Sequence, residues 1–318
     1  MSQVQRKKTA INSETRGEPT LYVGLGGTGR DVLLHLRWLV YQRYGQPALP
    51  FTEFLYLDTN SVTPTISSAI PVAALERVRF SPDESLELGT SPNLPVRNGE
   101  DTSEDDAIHV GTWLDPALAG CIGTMTGGAG VVRSFGRLAF WHHAAEFSEI
   151  VGGAIRRLSR ADVGEEARRF GFSIATGTIR VVVVTSLYGG SGSGAFIDCS
   201  QILRHMLREA GLGSRFFAVL TLPGKFDGKD LVARRMAALA YASLKELDPH
   251  LSHDADDGKS YQFPGIPTPV HLFRPVFDVA YLVDDARRTL AANVDGSLRT
   301  IADWLAADLV QRSHLPGG

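Results

Sequence analysis

Apolar residues in this chain follow two alternating patterns. Short continuous runs occur at Thr20–Val23, Phe54–Leu57, Arg180–Thr185 (with four consecutive valines), Arg215–Leu220 and Val276–Val283. Unbroken apolar runs of this length predict strands covered on both faces. Between them, apolar positions recur every three or four residues. Val32, Leu33, Leu36, Leu39 and Val40 form one such series. Ala195, Cys199, Ile202, Leu203, Met206 and Leu207 form a second, and Val294, Leu298, Ile301, Leu305 and Leu309 a third. Each predicts a helix with one buried face. Helices are also expected over 133–158 and over Leu231–Leu247. Strands that alternate with helices predict an α/β fold: a parallel sheet with helices on both faces. Ligands of such sheets bind beyond the carboxyl ends of the strands.

Punctuation divides the chain further. Residues 1–17 are polar and charged and are expected to be a disordered tail, and residues 314–318 a short C-terminal tail. One domain is expected over 18–313. Within it, residues 81–108 are acidic and rich in Ser, Pro and Gly, which predicts a surface insertion. The formal net charge of -3 gives no overall basic field, so no nucleic-acid partner is expected. No apolar run is long enough to span a bilayer, and the start has no apolar signal core. The two cysteines, Cys121 and Cys199, stand far apart without metal-ligand spacing. They read as ordinary thiols of a reducing compartment, and a cytoplasmic location is expected.

The chemistry gathers in glycine. Gly24, Gly26 and Gly29 make G-x-G-x-x-G where a predicted strand meets a predicted helix. Glycine lets the backbone turn sharply and approach a phosphate, and the helix start presents free N–H groups and a positive dipole end. The motif also opens dinucleotide-binding Rossmann sheets, with Asp58 placed to hold a ribose hydroxyl. An NAD(P)-dependent oxidoreductase is therefore one reading. A second loop, Tyr188–Ala195, reads YGGSGSGA, with Gly189, Gly190, Gly192 and Gly194 around Ser191 and Ser193. Ordering glycine costs about 0.5–1 kcal/mol relative to Ala. A nest of N–H groups for an anion explains that expense, and the Ser hydroxyls add donors. No Gly-Lys-Ser/Thr ends the loop, so it is not a Walker A sequence. Two phosphate loops at strand ends suit a triphosphate held from two sides, whereas a Rossmann site needs one.

YGGSGSGA after a valine-rich strand resembles the G-G-G-T-G-S-G signature of the tubulin/FtsZ superfamily, with Ser191 in place of the usual Thr. GLGGTGR, residues 24–30, resembles the first phosphate loop of FtsZ. LDTNSVTP (57–64), GAGVVRSFGR (128–137), LTLPGKFDG (220–228) and VFDVAYLVDD (276–285) follow in the family's order. The resemblance implies a Rossmann-like nucleotide-binding domain with the family's central helix at its C-terminal end. It implies GTP or GDP as ligand and self-association in head-to-tail filaments. Gly26, Gly27, Thr28 and Gly29 would contact phosphates through the backbone. Ala129 and Gly130 would sit by the terminal phosphate, and the loop from Gly189 to Gly194 would clasp the phosphate tail. Asp58 and Asn60 would lie near Mg2+, whose preference for oxygen ligands fits. Asp284 and Asn293, with Asp31 as a third candidate, would accept the N–H donors of guanine. Asp284 and Asn293 read equally well as helix caps.

Arg133 and Arg137 follow the third loop and read either as phosphate neutralisers or as surface residues. His142-His143 suggests a metal only if a third ligand joins it. In tubulin and FtsZ an acidic catalytic loop follows the central helix. Here His-Leu-Pro-Gly-Gly follows instead, and Asn293-Val294-Asp295 comes before that helix. The second, activating domain is therefore expected to be missing, and no catalytic residue is assigned. Hydrolysis and polymerisation are expected only if a fuller chain or a partner supplies the acidic loop. A non-hydrolysing scaffold of the same fold is the remaining reading.

Overall fold

The computed structural model describes residues 15–60, 70–89, 110, 113–114, 129, 132–224, 231–252, 259–284 and 294–311. Its main sheet is built from β2 (Thr20–Leu25), β3 (Thr52–Asp58), β4 (Ser85–Glu87), β6 (Thr178–Ser186), β7 (Gly213–Thr221) and β10 (Val279–Val283). Two short ladders stand apart: β1 (Thr15–Gly17) with β5 (Phe172–Ile174), and β8 (Ser260–Tyr261) with β9 (Val270–His271). The helices are α1 (Gly26–Tyr44), α2 (Val72–Val78), α3 (Arg133–His142), α4 (Ala144–Leu158), α5 (Val163–Arg168), α6 (Ser191–Glu209), α7 (Leu231–Leu251) and α8 (Val294–Gln311).

The main sheet runs β10-β7-β6-β2-β3-β4, and every pairing in it is parallel. A strand's side chains alternate between faces, so a continuous apolar run must fill two cores. The valine strand shows this directly. Val181 and Val183 join one core with Phe135 of α3, Phe147 of α4 and Phe196 of α6. Val182 and Val184 join the other with Leu33 and Leu36 of α1 and Leu298 and Leu305 of α8. Each fully buried aliphatic side chain contributes about 1.5–3 kcal/mol. The periodic positions Leu298, Ile301, Leu305 and Leu309 are all buried, as the spacing predicts. Arg180 at the start of β6 ties α8 down through an ion pair with Asp308.

Three expectations are corrected. Residues 85–87, read as part of a surface insertion, form the edge strand β4 on β3, and Leu88 behind them is buried. Its backbone pairing, not its composition, decides this placement. Residues 90–108 lie outside the described residues. Thr15–Gly17, read as the end of a disordered tail, pairs with β5. The single helix expected over 133–158 is two helices that break at His143, where φ is −95° and ψ 14°.

Strand order locates the ligand edge. From β2 the chain builds outward through β3 to β4, and from β6 it builds the other way through β7 to β10. The direction reverses between β2 and β6. A crevice at such a reversal, at the carboxyl ends, is where open α/β sheets bind ligands. Both glycine loops leave the sheet at this point.

Candidate functional site

The first loop is almost no loop. β2 enters α1 directly, and the turn is made at Gly26, whose φ of +69° suits only glycine. No side chain caps α1, and its first turn carries no acidic residue. The same holds for α6, which starts at Ser191 after an N-cap at Gly190. Among the described residues neither helix N-terminus has a side-chain cap, and each carries about half a positive charge from its dipole.

They stand against each other. A Cβ on Gly26 would lie 3.4 Å from the backbone nitrogen of Gly192. A Cβ on Gly192 would lie 2.7 Å from the Leu25 carbonyl oxygen and 2.0 Å from Thr185 Oγ1. The Thr185 hydroxyl donates to the Leu25 carbonyl at 3.2 Å. Gly29 packs under both strands, with Val184 O 2.6 Å from where its Cβ would be. Residues 24–30 and 189–194 therefore share one cleft.

Packing explains part of the second loop's glycine content, which sequence reasoning gave wholly to the anion. Gly194 faces the Arg133 carbonyl, which would be 2.1 Å from its Cβ. Gly136 of α3 rides on the loop, with Gly190 O 2.2 Å from where its Cβ would be. Two glycines, Gly136 and Gly194, thus let α3 cross α6 at backbone contact. Ser193 is also engaged within the protein: its buried hydroxyl donates to the Gly189 carbonyl. Gly27 is different, since a Cβ there would meet nothing within 4 Å.

At the end of β3 the chain brings oxygen-bearing side chains to the same cleft. Asp58 is buried; its Oδ2 accepts the Tyr56 hydroxyl at 3.0 Å and its Oδ1 accepts the Asn60 N–H at 3.4 Å. Burial first, and then the Asp58 charge, push the Tyr56 phenol above its ordinary range, so it remains a donor. Arg30 and Asp31 act on the same phenol. Asp31 Oδ1 accepts from Arg30 Nε and Nη2 at 2.9 and 2.7 Å. Next to Asp58 lies Thr59, which sequence reasoning passed over. Its Oγ1 is 2.6 Å from Ser191 Oγ and accepts the Ala129 N–H at 2.8 Å. The end of β3, Ala129 and the second glycine loop meet at this hydroxyl.

Arg133 and Arg137 fit neither earlier reading. Arg133 donates to the Ser193 carbonyl at 3.2 and 3.0 Å and pairs with Glu246 of α7. Arg137 grips Asp198 of α6 and stacks 4.6 Å over the Trp113 ring. With Ser134 and Gly194 they line a cavity of about 290 Å³ beside the loop. Their charges are met by carboxylates. His142 is half-buried and edge-on to Trp141, and His143 bonds Glu146 and the Gly89 carbonyl. Among the described residues no three His, Cys, Asp or Glu side chains form a metal group. Cys199 is buried, and burial raises its thiol well above the ordinary range.

The structure thus brings together Gly26, Gly29, Asp58, Ala129, Ser191 and Gly192 around one cleft. Asp284 follows β10, exposed, on the same carboxyl edge but three strands from β2. Gly130 and Asn293 lie outside the described residues. A family model described as Tubulin like matches residues 21–314. The chain belongs to that family. No curated protein matches this tubulin-like chain. Among solved structures it is similar to a GTPγS-bound CetZ2 protofilament from Haloferax volcanii, at 16% identity and TM-score 0.48, over 93% of this chain and 60% of that one. It is also similar to GDP-form protofilaments of Bacillus thuringiensis serovar israelensis TubZ, at 11% and 0.46, over 97% and 58%. An FtsZ variant from M. jannaschii matches at 13% and 0.42, over 94% and 56%. The tubulin-like chain spans between 56% and 60% of the length of these structures.

Proposed function

We propose that this tubulin-like chain binds a guanine nucleotide, with the phosphate tail held between the N-termini of α1 and α6. The observation that carries the reading is the close backbone approach of Leu25–Gly26 to Gly192, with no room for a Cβ on Gly192, at the reversal point of the sheet. Two uncapped helix starts with no acid in either first turn make a doubly positive cleft for a polyanion. Gly27, Thr28, Gly189 and Gly190 would supply N–H groups, and the Ser191 hydroxyl a further donor. Ala129 and Gly130 would flank the terminal phosphate. Asp31, Asp284 and Asn293 are the acceptors for the base. The all-oxygen set at Asp58 and Asn60 fits Mg2+, which would neutralise phosphate charge there. Two N-termini suit this reading better than a single dinucleotide loop.

By analogy of family, the chain self-associates head to tail. Hydrolysis then depends on an acidic element supplied by a longer chain or a neighbouring subunit, which would position water against the terminal phosphate.

Calorimetric titration with GTP and magnesium tests the reading, with GDP and NADH as competitors. GTP should bind at micromolar concentration or below, and GDP but not NADH should displace it. Gly27→Asp has room for its side chain and places a carboxylate in the first turn of α1, where the phosphate would lie. It should leave melting unchanged and weaken GTP at least tenfold. Absence of GTP binding at millimolar concentration defeats the proposal.

A further inference from the structure

We infer that Thr59 is a positioning residue that turns the Ser191 hydroxyl toward a phosphate and makes the cleft prefer a triphosphate to a diphosphate. The inference rests on the nucleotide reading for its ligand, but on hydrogen-bond chemistry for its substance. A backbone N–H only donates, so Thr59 Oγ1 must accept from Ala129 at 2.8 Å. Thr59 has one proton left, and Ser191 Oγ lies 2.6 Å away. If Ser191 donates to Thr59, it turns only lone pairs to the cleft, which repel an anion. If Thr59 donates to Ser191, the Ser191 proton is released toward the cleft. An anion selects the second arrangement, because that one gives it a donor. The chain of donors then runs from Ala129 N–H through Thr59 and Ser191 to the phosphate, each step polarising the next.

Thr59 is buried, at 5% exposure, so these bonds face little competition from water. They also couple two loops. Ala129 belongs to the stretch that lies by the terminal phosphate in the proposed mode of binding, and Ser191 opens the clasp. One hydroxyl joins Ala129 to Ser191, so a phosphate that draws on either acts on both. Neither Arg133 nor Arg137 duplicates this role, because Glu246 holds Arg133 and Asp198 with Glu246 holds Arg137.

The test uses inorganic triphosphate and pyrophosphate, with magnesium, beside GTP and GDP. Parent protein should bind triphosphate about tenfold or more tighter than pyrophosphate, the worth of one hydrogen bond to a charged group. Thr59→Val should bring that ratio to within about twofold of one, and Thr59→Ser should restore it. Ser191→Ala should lose the same preference, and the double variant should lose no more than either single. Circular dichroism and melting of each variant report folding separately, and Ser191→Ala carries the test if Thr59→Val does not fold. A hydroxyl with a merely structural role would weaken both anions equally; an unchanged ratio in folded Thr59→Val or Ser191→Ala overturns the inference. Triphosphate binding without preference for GTP leaves the relay standing and removes the nucleotide reading. Failure of the parent to bind any polyphosphate removes both.

Discussion

Arg137 grips Asp198 through two hydrogen bonds, from Nε at 2.7 Å and from Nη2 at 3.0 Å, and so bolts α3 to α6 beside the second glycine loop. Both side chains are largely buried. Removing one partner strands the other charge away from water. Arg137→Met should cost about 3–5 kcal/mol in urea unfolding. Arg137→Met with Asp198→Leu should recover most of that loss, because two apolar groups leave no uncompensated charge.

Gly136→Ala tests the backbone contact between α3 and the second glycine loop. Its new methyl group would sit 2.2 Å from the Gly190 carbonyl oxygen, so the helix must lift. We expect a loss of about 1–3 kcal/mol, the usual cost of overpacking. Phosphate affinity should fall with it, since the loop moves as α3 moves. Gly164→Ala, which would meet nothing within 4 Å, is the control and should leave affinity unchanged.

Gly26→Ala tests the left-handed turn. An alanine forced to φ +69° carries a backbone penalty of about 1–2 kcal/mol. Melting should fall accordingly, and polyphosphate binding should fall further, because relief of the strain moves the α1 N–H groups off the anion.

Acid should destabilise this fold through histidine. Burial, and then the His143 charge, lower the His142 pKa from 6.5 to about 4. The unfolded chain therefore takes up a proton at a higher pH than the folded chain does. Stability is full above the unfolded value and is lost as pH falls from 6.5 toward 4. The loss from His142 amounts to about 1–3 kcal/mol once solvent screening is allowed for. His205 and His250, also lowered mainly by burial, act in the same direction. His142→Leu should flatten the dependence of urea midpoint on pH across that window, and an unchanged slope would assign it elsewhere.

How much of this was legible beforehand depends on distance along the chain. The valines of β6 and the stripe of α8 announce themselves, because period and burial are local properties. The strand-glycine-helix junctions are equally local, and they place the cleft. Thr59 is not local: its partners are 70 and 132 residues away, and nothing in LDTN tells its hydroxyl from any other at a strand end. Gly136 reads as a weak helix former until the loop beneath it is seen. The third residue missed is Tyr56, whose role follows from Asp58 facing it. Strand β4 hides in acidic, Ser-rich sequence because an edge strand needs little apolar content of its own. Arg133 and Arg137 were weighed as phosphate ligands or surface, and the carboxylates of two other helices that claim them carry no signal near them in sequence.

The outermost strand, β10, turns Val279, Tyr281 and Leu282 to solvent, and Trp304 leans on Tyr281 at 5.0 Å. On its far side no strand pairs with it among the described residues. A row of open amide groups flanked by greasy side chains is an invitation to the same row on another molecule. Concentrated stocks of this chain should turn cloudy through that margin before any other part unfolds, and Leu282→Lys should keep them clear.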